Sequence, residues 1–108
     1  ERAALQVFAC EAMRVRTHVI EDFKKAFKSV NVIAAPSMPV LPPKFSEIDK
    51  LTPVQSYQMD VLSVPGNLAG IPAISVPCKN KFVGLHLLGD HMQEGRIISA
   101  AAAYERVR

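Results

Sequence analysis

Apolar and polar positions along the first quarter of the chain follow a helical period. Between residues 5 and 27, apolar side chains recur at spacings of three and four, with charged residues on the other side. This pattern is typical of an amphipathic helix. Because burying one Phe or Leu contributes about 1.5 to 3 kcal/mol, against tenths for an exposed charge pair, we expect packing against a sheet to hold this helix.

A short apolar run follows at residues 32–35 and is typical of a strand buried on both faces. Prolines are then dense, at Pro36, Pro39, Pro42 and Pro43. Proline has no amide donor and a fixed φ, so regular structure is excluded there. The sequence predicts a long loop over residues 36–53, and loops of that length often bind partners or act as lids.

The next stretch contains signals that start and stop a helix. Residues 57–62 have mixed periodicity and predict a helical turn or two. Ser63 can cap a second short helix, because Pro65 suits its first turn. Gly70 is a favourable residue to end that helix, and the proline two residues later prevents it from resuming.

Two strands and a helix complete the pattern. Residues 74–76 and 82–88 predict strands, and the four-residue turn between them makes an antiparallel hairpin. Gly84 inside the second strand indicates a bulge or a close backbone approach. A last helix is predicted over residues 93–106, with an apolar stripe at Ile97, Ile98, Ala101 and Tyr104. The elements together predict an α/β fold in which a sheet is flanked by helices.

Composition narrows the class of protein. The 108 residues are 49% hydrophobic and 21% charged, which fits one globular domain at most and contains no apolar run long enough to span a membrane. The net charge of +3 comes from basic residues interspersed with acids, so nucleic-acid binding is weakly indicated. Cys10 and Cys78 form no C-x-x-C pair, and we expect two buried free thiols in a reducing cytosol. Because the chain opens without Met directly in a helical pattern, we expect residues 1–108 to be one segment of a longer protein.

Candidate chemistry is sparse. There is no G-x-S-x-G elbow, phosphate-binding loop, dinucleotide fingerprint or H-E-x-x-H motif. The three histidines, His18, His86 and His91, have no metal-ligand spacing, and we expect single, partly exposed side chains. The serines have no base nearby in sequence, so capping and turn roles are expected for them. Asp60 is the candidate binding residue, because an acid before a capped helix can pair with a ligand ammonium. A helix cap or a surface acid explains it equally well.

Residues 60–78 and 83–89 resemble the C-terminal part of the amidase signature family, as do Arg14 to Thr17 and residues 32–36. The chain departs from the common family pattern at Phe82 and His86, where Pro and Gln are usual. The resemblance implies a mixed α/β enzyme with a catalytic triad of serine, cis-serine and lysine. Those three residues belong to an upstream signature that nothing here matches, so we expect no catalytic residue in this chain and no activity from it alone.

Within the family the resemblance is greatest to the glutamine-hydrolysing subunits of tRNA-dependent amidotransferases. That branch implies that Asp60 holds the α-amino group of substrate glutamine. It implies other amidotransferase subunits as partners, aminoacyl-tRNA contacted through the complex, and ATP and Mg²⁺ used by a partner subunit, with no cofactor on this chain. A cytoplasmic or organellar-matrix location follows from the same branch. A general amidase for small amides, or a non-catalytic α/β module that binds a partner through residues 36–53, are the alternatives.

Overall fold

Five helices and three strands make up the computed structural model, which describes every residue from Glu1 to Arg108. In chain order the elements are α1 (Arg2–Ala26), β1 (Val32–Pro36), α2 (Phe45–Ile48), α3 (Pro53–Gln58), α4 (Val64–Ala69), β2 (Ala73–Pro77), β3 (Gly84–Gly89) and α5 (Glu94–Val107). The predicted α/β class is confirmed. No helix combines the length and the apolar composition needed to cross a membrane.

The three strands form one antiparallel sheet in the order β1-β3-β2. The predicted hairpin between β2 and β3 is confirmed, with Ser75 opposite His86 in the register. Helix α5 packs on one face of β2 and β3 and buries Ile97 and Ala101 there. Ile98, which the sequence placed on the same stripe, is 57% exposed, because the three-stranded sheet is too narrow to cover that side of α5.

Helix α1 forms as predicted, but the expectation that a sheet holds it is wrong. It contains no buried residue, and its main packing partner is α4. Arg16 donates a 2.8 Å hydrogen bond from Nε to the Leu68 carbonyl oxygen at that contact. The first half of the apolar stripe has no partner, with Phe8 79% exposed. The cause is that α5 takes one face of the sheet and α4 stands beside α1 on the other.

The strand predicted at residues 32–35 is present, but it is not buried on both faces. β1 lies at an edge of the sheet, and Ala34 and Pro36 are exposed. The predicted loop over residues 36–53 is interrupted by α2, a single turn in which Glu47 accepts a hydrogen bond from the Lys44 amide.

Helix α3 begins at Pro53, four residues before the predicted helical segment at 57–62. A capping box at Thr52 explains the earlier start. The Gln55 amide donates to Thr52 Oγ1 at 3.2 Å, and the Thr52 amide donates to Gln55 Oε1 at 2.9 Å. The pattern Thr-Pro-x-Gln carries both a capping box and a proline in the first turn, so the signal was present in the sequence.

The core is small for a chain of this length. Eight residues are buried, and the apolar centre consists of Val76, Leu87 and Ala101 between the hairpin and α5. The molecule is flat, with extents of 54 × 44 × 17 Å and a radius of gyration of 16.8 Å. A compact domain of this length has a radius of gyration of about 13 Å. Most of the apolar surface of these elements is therefore uncovered.

Candidate functional site

Asp60 lies in the turn between α3 and α4 and is exposed to solvent. Its backbone carbonyl oxygen accepts hydrogen bonds from the Ser63 amide at 3.0 Å, the Val64 amide at 3.2 Å and the Ser63 hydroxyl at 3.0 Å. Its carboxylate takes part in neither of the ion pairs of the chain. The main chain of Asp60 is thus fixed to the start of α4, while its charge is left free for another group.

The capping role predicted for Ser63 is wrong in its chemistry. Ser63 does occupy the position before α4, but its hydroxyl donates backwards to the Asp60 carbonyl and accepts no helix amide. The predicted end of the helix is confirmed, since Gly70 has a left-handed backbone with φ of 68°. Donation to the preceding turn makes Ser63 part of the structure that fixes Asp60.

Helix α4 is seated on the sheet through Gly66, which is buried. A Cβ at position 66 would lie 2.7 Å from Leu88 Cδ2, so only glycine allows this close approach of α4 to β3. On its other side α4 is bonded to α1 through Arg16. These two contacts set the position of the Asp60 turn relative to the sheet.

Two serines from either side of the sheet, Ser37 directly after β1 and Ser75 in β2, meet over the central strand. Ser37 Oγ and Ser75 Oγ lie 2.5 Å apart and share a hydrogen bond. A Cβ on Gly84, which lies beneath them in β3, would be 2.5 Å from the first and 2.8 Å from the second. The close approach predicted for Gly84 is therefore confirmed. The turn and capping roles expected for these two serines are wrong, because a link across a sheet leaves no trace in local spacing.

An open groove of about 480 Å³ begins at this serine pair. Its walls come from the Pro-rich segment after β1 and from the hairpin, and include Met38, Val40 and Phe82. Asp60 does not line it. The structure thus brings Ser37, Ser75 and Gly84 together but does not place Asp60 in a pocket made by this chain.

The histidines and cysteines occupy separate places. His18 is exposed on α1, 3.7 Å from Glu21, and His91 is exposed in the turn after β3. His86 is buried in β3, with no hydrogen-bond partner at Nε2, so the expectation of three partly exposed histidines is wrong for this one. Both cysteines are free, but the expected burial is wrong for Cys10, which is exposed on the uncovered part of α1.

Comparison with known proteins assigns the chain to a family. A family profile described as Amidase matches residues 2–98. The chain belongs to the amidase family. The match confirms the resemblance that residues 60–78 and 83–89 indicated, and it takes in the Asp60 turn, the serine pair and the whole sheet.

Several curated relatives of this amidase chain carry the name of one glutamyl-tRNA(Gln) amidotransferase subunit. The protein from Methanospirillum hungatei JF-1 is 46% identical over 101 residues, covering 91% of this chain and 23% of the relative. The protein from Halobacterium salinarum is 46% identical over 100 residues, covering 89% and 23%. The protein from Halothermothrix orenii is 42% identical over 103 residues, covering 92% and 21%. The amidase chain therefore spans between a fifth and a quarter of the length of these relatives.

Proposed function

We propose that this amidase chain is the C-terminal part of the glutamine-hydrolysing subunit of a tRNA-dependent amidotransferase. The observation that carries the proposal is the 46% identity over 91% of the chain to a protein named as a glutamyl-tRNA(Gln) amidotransferase subunit. The longer protein would release ammonia from glutamine through a serine acyl-enzyme. A partner subunit would use that ammonia, with ATP and Mg²⁺, to amidate Glu-tRNA(Gln) or Asp-tRNA(Asn), in the cytoplasm or an organellar matrix.

Asp60 would select the substrate by pairing with the α-ammonium group of glutamine. The proposal is supported by the exposed, unpaired carboxylate and by the three hydrogen bonds that fix its main chain. A charge-assisted hydrogen bond contributes about 1.5 to 3 kcal/mol, or roughly 10- to 150-fold in kcat/KM. The other walls of the glutamine pocket, and the serine nucleophile, would come from residues outside this chain.

The test is Asp60→Asn in the longer protein, assayed with glutamine and with free ammonia as nitrogen donors. The variant keeps the shape of the side chain and removes its charge. We expect kcat/KM for glutamine to fall about 10- to 150-fold while ammonia still supports amidation, because ammonia needs no α-ammonium contact.

Asp49→Asn is the matched control, since Asp49 is also an exposed acid that follows a short helix and has no ion pair. It should leave both donors unaffected. Unchanged use of glutamine by the Asp60 variant would sink the assignment of this residue. Amide hydrolysis by the 108-residue chain alone would contradict the expectation that the nucleophile lies elsewhere.

A further inference from the structure

The outer edge of β1 carries unpaired backbone groups. The Ser37 amide donates to the Gly84 carbonyl at 2.8 Å, and this bond fixes which residues of β1 face β3. In an antiparallel pair the bonding residues alternate, so Ile33 and Ala35 bond to β3. Val32 and Ala34 therefore direct their N–H and C=O groups away from the sheet. No turn, loop or side-chain hydrogen bond reaches them.

Nothing in this chain blunts that edge. Edge strands usually carry a charge, a bulge or a covering element that prevents pairing with another strand. β1 has the sequence VIAAP, without a charged residue, and α5 packs on β2 and β3 but not on it. Beside Val32 lies an open groove of about 740 Å³ whose other wall is the start of α5, including Arg96.

The opposite edge of the sheet is better protected. At the end of β2 the Arg108 guanidinium donates to the Pro77 carbonyl oxygen, and Pro72 precedes the strand. β2 also has a polar residue, Ser75, in its centre. The difference between the two edges points to β1 as the place where the sheet continues. Its apolar run has the composition of a strand with neighbours on both sides.

We propose that the free edge of β1 pairs with a further β-strand supplied by amidase polypeptide outside these 108 residues. The proposal rests on the proposed function in one respect, namely that the chain is a segment of a longer amidase. The occupant follows from length, because the amidase relatives are more than four times as long as the part this chain matches. The N–H and C=O groups of Val32 and Ala34 would form the new ladder.

Residue-resolved hydrogen exchange on the longer amidase tests the pairing directly. The Ala34 amide has no acceptor within this chain, so it should exchange freely unless another strand binds it. We expect exchange at Ala34 to be at least ~100-fold slower than at Lys79, an exposed turn amide without a partner, and close to that of Ala35, which bonds to β3.

Two results would overturn the proposal. One is exchange at Ala34 as fast as at Lys79. The other is protection that disappears on dilution, which would mean that β1 edges of two copies pair with each other. The outcome is separable from the glutaminase proposal: a protected Ala34 in a protein that ignores glutamine would keep the strand and reject the substrate, and the reverse result would do the opposite.

Discussion

Gly84 is the residue whose substitution tests the geometry of the sheet most sharply. A Cβ at this position would lie 2.5 Å from Ser37 Oγ, 2.8 Å from Ser75 Oγ and 3.0 Å from Ser37 Cβ. The hydroxyls can rotate away, at the loss of one hydrogen bond worth about 1 kcal/mol. Ser37 Cβ is fixed to the main chain, so β1 must move as well, which typically costs about 1 to 3 kcal/mol. Gly84→Ala should therefore destabilise the sheet by about 2 to 4 kcal/mol.

Native-state hydrogen exchange in the longer amidase measures this cost where it acts. A loss of about 2 kcal/mol speeds exchange roughly 30-fold at Ala35, whose amide bonds to β3. Gly95→Ala is the control, because a Cβ there meets nothing within 4 Å and replaces glycine in helix α5. It should stabilise α5 by up to about 1 kcal/mol.

A double variant separates the clash from any general weakness of the strand. Ser37→Gly removes both atoms of Ser37 that the new Cβ would meet. Combined with Gly84→Ala, it should cost at least ~1 kcal/mol less than the sum of the two single changes. If Gly84→Ala were as harmless as Gly95→Ala, or if the two changes simply added, the close contact of Ser37 with Gly84 would be refuted.

Three further predictions concern local structure. Gly70→Ala should cost about 1 to 2 kcal/mol, seen as faster amide exchange in α4, because its φ of 68° disfavours a side chain although space is open. Thr52→Ala should cost about 1 kcal/mol and speed exchange at Gln55, whereas Thr52→Ser should not. Hydrogen bonding with the Cys78 thiol raises the pKa of Tyr104 above its ordinary value, so Cys78→Ala should lower that pKa in an absorbance titration of a Tyr57→Phe background.

The regular elements could be predicted because their signals are local. The period of α1, the alternation and turn of the hairpin, and the stop at Gly70 each lie within a few residues of the structure they specify. The start of α3 is equally local, since the Thr52 capping box is visible in the sequence, and the prediction placed the helix too late because it followed apolar periodicity alone.

The remaining features depend on parts of the chain that are distant in sequence. The Ser37–Ser75 bond joins residues 38 apart, and neither position has a local pattern that indicates it. The exposure of Phe8 and of Ala34 follows from which elements share this chain, not from their own composition. The proposed role of Asp60 depends on a pocket that these residues do not form by themselves, so its site could be inferred only from the family.

Substrate discrimination by the longer wild-type protein tests the glutaminase proposal most directly. L-glutamine would be compared with 4-carbamoylbutanoic acid, which keeps the amide and a carboxylate but lacks the α-amino group. If Asp60 binds the α-ammonium, kcat/KM should favour L-glutamine by roughly 10- to 150-fold. Equal use of the two amides would contradict the proposal and favour a general amidase.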